Sequence, residues 1–366
     1  GELGKVADGF PEILPVRERA EILDKVLADR LENVLPTAMR EAGLDMWLII
    51  CQEDDLDPVY ETMIPMDTWC PILQILIFHD RGPKEGIERI NLSFTDTKEM
   101  YDRPWQGRSH HGAQWEMLRT IVEKRDPQRI GINTGSIQWA AGGLTHNLYM
   151  QLVGALPQSY VDRLESAELC ATRWLATLTD METSLYDDVV KVAHALIAEC
   201  YSRTAITPGV TTIEDLRWYY WQRCADLGLS VAFNPVFLII RSEEAVRMHG
   251  EEDDVIRPGD LIRCDVGIRY LRLITDHQEW GYVLRTGETD MPEFVRGLTG
   301  DQLLNNMLTR ARKEGIPTPR VYSHSLGHLL HEPGPLIGLP WEQERNEGRG
   351  DVVLEYNYAF TAELSV

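Results

Sequence analysis

Two aspartates stand eleven residues apart, Asp265 at the end of Leu261-Ile-Arg-Cys-Asp265 and Asp276 at the end of a run that begins at Tyr270. On one straight strand an odd separation puts two side chains on opposite faces. A hairpin centred between Tyr270 and Leu271 instead sets them directly opposite each other on one face. Opposed Cβ atoms lie about 4.5–5.5 Å apart, and two ionised carboxylates that close repel unless a cation stands between them. Taken alone, the spacing reads first as two singly solvated hairpin acids, with a cation-binding pair as the alternative. The second group is Tyr322-Ser-His324-Ser-Leu-Gly-His328-Leu-Leu-His331-Glu332-Pro-Gly-Pro335, which holds three of the ten histidines. Histidine is both a metal ligand and the side chain suited to proton transfer at neutral pH. The helical HExxH pattern is excluded, because Pro333 and Gly334 follow His331-Glu332 and break a helix.

These residues need a scaffold, and the apolar pattern supplies one. Ile22, Leu23, Val26, Leu27, Leu31, Val34 and Leu35 form a helical stripe interrupted by Pro36, and a second helical stretch ends at Gly43. Strands are predicted at Met46–Cys51, Ile72–Phe78, Ile90–Phe94 and Ile130–Asn133, with helices near Trp115–Lys124 and from Thr145, an alternating α/β arrangement. Gly107-Arg-Ser-His-His-Gly112 has one residue too many for a nucleophile elbow, and no strand leads into it; it reads as a polar loop. From Leu164 onward long helices appear, with Val189, Val192, Ala193, Leu196 and Ile197 on one face. Thr211 and Glu214 predict a capping box opening a helix that Gly228 closes, and Trp218, Tyr219, Tyr220 and Trp221 on it read as packing residues. Strands follow at Phe237–Ile240, Leu261–Val266, Tyr270–Asp276 and Gly281–Thr286, then a helix at Gln302–Glu314 and a last strand ending at Val366. The predicted domains are residues 1–163 and 164–366.

Composition narrows the function. With 366 residues the chain is long enough for about two domains. Lys and Arg total 36 against 58 Asp and Glu, a net charge of −22 that repels phosphate backbones and anionic headgroups, so nucleic acid and membrane surfaces are not expected partners. Apolar runs such as Val236–Ile240 fall far short of the ~20 residues of a spanning helix. The six cysteines show no CxxC spacing and read as packing thiols. The chain starts at Gly1, which fits a cytoplasmic protein or an exported one whose leader has been removed.

The two motifs together resemble the pita-bread metallopeptidases: aminopeptidase P, prolidase and their creatinase-like relatives. The family pairs two aspartates eleven apart with an H-x2-G-x3-HE stretch and two later glutamates. Asp265 and Asp276 match the first pair. Taking His324 as the ligand puts Gly327 at +3 and His331-Glu332 at +7, which the alternative His328 does not. Glu363 in Phe360-Thr-Ala-Glu-Leu resembles the first late glutamate, and His249 in Met248-His-Gly250 the substrate-side histidine. Arg320 stands where the peptidases carry a further histidine, and His277-Gln-Glu-Trp280 replaces a threonine-rich strand.

The resemblance implies an α+β protein: a creatinase-type α/β N-terminal domain, then a pita-bread domain of helices on a curved antiparallel sheet. It implies two divalent ions, Mn or Co first and Zn or Fe as other options, bridged by Asp276, with Asp265 on one and His324 and Glu363 on the other. His249 and His331 are then the catalytic residues that contact substrate. The implied activity is removal of the N-terminal residue from short peptides, including Xaa-Pro substrates, by a homodimer. A metal-free amidinohydrolase and a non-catalytic peptide- or protein-binding module are the rivals. Because Val366 precedes any strand for a fifth ligand, and the stretch from Thr286 to Leu303 is short, the pita-bread domain is expected to be incomplete here, with more chain beyond it.

Overall fold

In the computed structural model the described residues are 9–70, 72–105, 111–289, 320–329, 336–337, 359–361 and 363–365. The helix expected at Gln302–Glu314, His331 and most of the Gly107–Gly112 loop lie outside them.

The N-terminal half is a three-layer sandwich. Two helices, α1 (Val16–Asn33) and α2 (Leu35–Glu41), precede β1 (Met46–Cys51), with Pro36 in the first turn of α2, where its missing N–H costs nothing. Strands β2 (Gln74–Asp80) and β3 (Ile87–Asn91), helix α3 (His111–Arg125), β4 (Ile130–Ile132), helices α4 (His146–Ala155) and α5 (Gln158–Val161), β5 (Leu164–Ser166) and α6 (Glu168–Ala176) follow. The sheet order is β3-β2-β1-β4-β5, antiparallel on the β3 side and parallel on the β5 side. The unbroken apolar run of β1 reflects a strand covered on both faces. Met46, Leu48 and Ile50 pack toward α3 and α4, whereas Trp47, Ile49 and Cys51 pack toward α1, α2 and α6.

The expected boundary at residues 163 and 164 falls inside this unit. Leu164–Ser166 is the sheet's edge strand and α6 packs Ala171, Trp174 and Leu175 into the same core as α2, so the change to a second core comes after Ala176. That core forms where α7 (Asp180–Cys200) and α8 (Ile213–Asp226) cover one face of short antiparallel strands. These are β6 (Ser230–Val231), β7 (Val236–Ile240), β8 (Leu261–Asp265), β9 (Ile268–Tyr270), β10 (Leu273–Ile274) and β11 (Trp280–Tyr282), with the short helix α9 (Glu243–His249) between β7 and β8. The helical stripe on α7 is buried as its spacing requires. The capping box of α8 sits one residue later than expected, on Thr212 and Asp215, because Thr211 Oγ1 instead accepts the Thr207 amide of the preceding turn. Of the four aromatics on α8 only Tyr220 is fully buried; Trp218 is exposed and stacks on Trp221. The last described elements are β12 (Arg320–Leu326), β13 (Leu336–Ile337), β14 (Ala359–Phe360) and β15 (Glu363–Ser365), the other three all pairing with β12. Among the described residues no helix is long and apolar enough to cross a membrane.

Candidate metal centre

The hairpin that carries both aspartates is not centred where the spacing suggested. Tyr270 pairs with Leu273, so the two-residue loop is Leu271-Arg272, both at positive φ as in a type I′ turn. The run expected as one strand from Tyr270 to Asp276 is therefore split by the turn. The register continues through Val266 with His277 and Arg263 with Trp280. On this ladder Asp276 faces Gly267, and Asp265 faces Gln278. The aspartates are thus diagonal neighbours on one face rather than directly opposed, a separation of about 7–8 Å between Cα atoms. Gly267 is what lets the strands close opposite Asp276: a Cβ there would stand 2.0 Å from the Thr275 carbonyl oxygen and 2.8 Å from the Phe233 ring.

The third expected ligand comes from β12. His324 is buried, and its Nε2 lies 3.7 Å from Asp276 Oδ2. Thr361 fixes the backbone at that point, its amide donating to the His324 carbonyl and its hydroxyl accepting the His324 amide. Asp265 is held from the side: Gln278 Nε2 donates to its Oδ2 at 3.1 Å, and Arg263 lies 3.7 Å from the same oxygen. The backbone of Glu363 pairs with Tyr322 on the strand that carries His324. His249 is exposed at the end of α9, with no hydrogen bond or ion pair among the described residues.

His328, the competing histidine, points elsewhere. Its Nε2 is 2.7 Å from Glu182 Oε1. Glu182 also receives Arg30 Nη1 at 2.8 Å and the Thr179 amide of its capping box. Arg30 in turn donates to the Thr177 and Trp174 carbonyls and stacks over the Trp174 ring. All three side chains are buried. Burial alone would raise the Glu182 carboxyl, but Arg30 and His328 outweigh it and hold it at about 2. Burial, helped by the Arg30 charge, lowers His328. Sequence reasoning missed this hub; the one legible signal was the Thr179-x-x-Glu182 capping-box spacing, which says nothing of partners so distant in sequence.

In donor type the set suits a divalent ion: two carboxylates and an imidazole. Two ligands of one first-row ion stand about 3–3.5 Å apart, close to the His324–Asp276 separation. Yet among the described residues no three His, Cys, Asp or Glu side chains converge closely enough to hold a metal ion.

Comparison with solved structures defines the class of fold. The chain has the mixed α+β fold of the pita-bread peptidases. It superimposes on an X-Pro aminopeptidase from Thermotoga maritima with a TM-score of 0.59 at 16% identity, covering 90% of each chain. It likewise resembles an Xaa-Pro dipeptidase from Bacillus anthracis (TM-score 0.52, 16% identity, 96% of this chain and 90% of that one). A prolidase from Pyrococcus furiosus gives a TM-score of 0.51 at 16% identity over 90% of each chain. No family model and no curated protein matches the sequence.

Proposed function

We propose that this chain is a divalent-metal-dependent exopeptidase that removes the N-terminal residue of short peptides, Xaa-Pro peptides among them. The observation that carries the reading is the placement of Asp265 and Asp276 on one hairpin face with His324 3.7 Å from Asp276, in a fold shared with X-Pro aminopeptidases and prolidases. Asp265, Asp276, His324 and Glu363 would hold the metal, with Mn or Co as the first ions to try. When bound, such ions polarise a carbonyl and supply hydroxide at neutral pH. His324 in the reading is a neutral Nε2 donor, fixed by the Thr361 clamp on its backbone. Gln278 and Arg263 set the angle of the Asp265 carboxylate. His249 and His331 are the proposed substrate-side residues, binding the peptide and moving a proton at the scissile amide. The N-terminal sandwich is proposed to be the creatinase-type unit, and a homodimer the working assembly.

A non-catalytic pita-bread module is the second reading, favoured by the Gln278 and Arg263 contacts that engage Asp265 Oδ2. Titration with Mn and Co, read by calorimetry, separates the two, followed by cleavage of an Xaa-Pro peptide library with and without chelator. Chelator-sensitive cleavage, lost in Asp276→Asn, supports the peptidase; absence of both metal uptake and cleavage rejects it.

A further inference from the structure

Cys51 closes β1 with its side chain buried, and Cys70 lies nineteen positions further on in the segment leading to β2, with Sγ atoms 3.9 Å apart. None of the six cysteines is in a disulfide, and the other four are buried, so Cys70 is the thiol of the set with solvent access. We infer that Cys51 and Cys70 form a redox-active dithiol that closes to an intramolecular disulfide on reaction with a low-molecular-weight disulfide such as oxidised glutathione.

The geometry supports closure. The sulphur atoms are already at contact distance, and bond formation needs an approach of about 2 Å. Cys51 is fixed in a central strand by its ladder with Gln74, whereas Cys70 belongs to an irregular stretch outside any strand, so Cys70 is the partner that moves. The order of reaction follows from access. The Cys70 thiolate attacks the oxidant, forming a mixed disulfide and releasing one glutathione thiolate. The Cys51 thiol, once deprotonated, then attacks Cys70 Sγ, forming the protein disulfide and releasing the second glutathione. Two protein thiols lose two electrons and two protons, and one glutathione disulfide is reduced to two thiols. The nearby Cys70 sulphur and burial both push the Cys51 thiol far above its ordinary range, so the second step is slow at neutral pH and quickens with alkalinity.

Closure would enclose the stretch that carries Tyr60, Met63 and Ile64. The Ile64 carbonyl accepts Arg272 Nη1 from the turn of the hairpin that bears Asp276, so the cross-link fastens the ground on which that turn rests. The test uses the full chain, incubated with oxidised glutathione near about pH 8, quenched in acid, alkylated and examined by intact mass and peptide mapping. The expected result is a mass loss of about 2 Da, a Cys51–Cys70 linked peptide, and reversal by dithiothreitol. Cys51→Ala should stop at a glutathione adduct on Cys70, and Cys70→Ser, changed at a half-buried site, should stay unreacted. A stable adduct on the unsubstituted chain, a link through any other cysteine, or no reaction at all would overturn the inference.

Discussion

His324 and His328 are four residues apart, yet their surroundings assign them different work. His324 faces Asp276, and His328 is sealed against Glu182 and Arg30. His324→Ala should therefore abolish metal uptake while leaving the fold largely intact, whereas His328→Gln should lower stability and keep metal uptake, both read by calorimetry and thermal melting. His249→Ala and His331→Ala should retain metal but lose about 10²-fold or more in peptidase rate, the usual loss for a removed acid-base group. Equal metal loss in those two variants would make them ligands. Asp57 makes stability depend on pH. Asp57 is fully buried, accepting from Val59 N and Asn133 Nδ2, and burial outweighs those bonds and raises its carboxyl to about 6. The folded state then holds this proton more tightly than the unfolded chain, so stability is full below the ordinary value of 3.8 and declines as pH rises through 6. The loss is on the order of 3 kcal/mol, from about 1.4 kcal/mol per pKa unit. The Asp57 contribution is read by difference: the urea midpoint of the unsubstituted chain minus that of Asp57→Asn should fall as pH is raised from 4 to 7, and a flat difference would reject it.

At the scale of elements, the Asp265–Asp276 spacing disclosed a hairpin but not its register. A two-residue loop with both φ positive favours Asn-Gly, and Leu271-Arg272 carries no such signal. The turn is held by context: Leu271 is buried in the second core and Arg272 bonds the Ile64 carbonyl. That tertiary support cannot be read from local residues. The same limit moved the α8 capping box by one position, since Thr211 and Thr212 are equally good caps until the preceding turn claims one of them. The buried strand β1 and the stripe on α7, by contrast, depend on pattern alone and were legible. Gly267 offers the sharpest element-scale test. Gly267→Ala would drive a methyl into the Thr275 carbonyl and prise the strands apart opposite Asp276. A loss of about 1–3 kcal/mol, typical of overpacking, should appear in denaturant melts together with weakened metal uptake. Unchanged values for both would reject the tight ladder described for Gly267.

Across the whole molecule, the N-terminal sandwich and the second core are joined through charge buried at their meeting place. Arg30 comes from α1, Glu182 from α7 and His328 from the turn after β12, so the hub ties three distant parts of the chain together. Its response to acid has a definite sign. Glu182 has a folded value depressed from 4.5 to about 2, so its contribution is complete above the unfolded value and is lost as pH falls from 4.5 toward 2. The size is on the order of 3 kcal/mol. His328 acts in the same direction: its folded value lies below 6.5, the unfolded chain takes up this proton first, and stability begins to fall as pH drops below 6.5. Removing one partner is worse than acid, because Glu182→Gln leaves the Arg30 guanidinium buried without its counter-charge, at a cost of about 3–5 kcal/mol. In the double variant Arg30→Met/Glu182→Leu no charge is stranded, so it should be less destabilised than the sum of Arg30→Met and Glu182→Leu. A double-mutant cycle by urea unfolding at neutral pH measures that difference, and strict additivity would show that the two groups do not act as a pair.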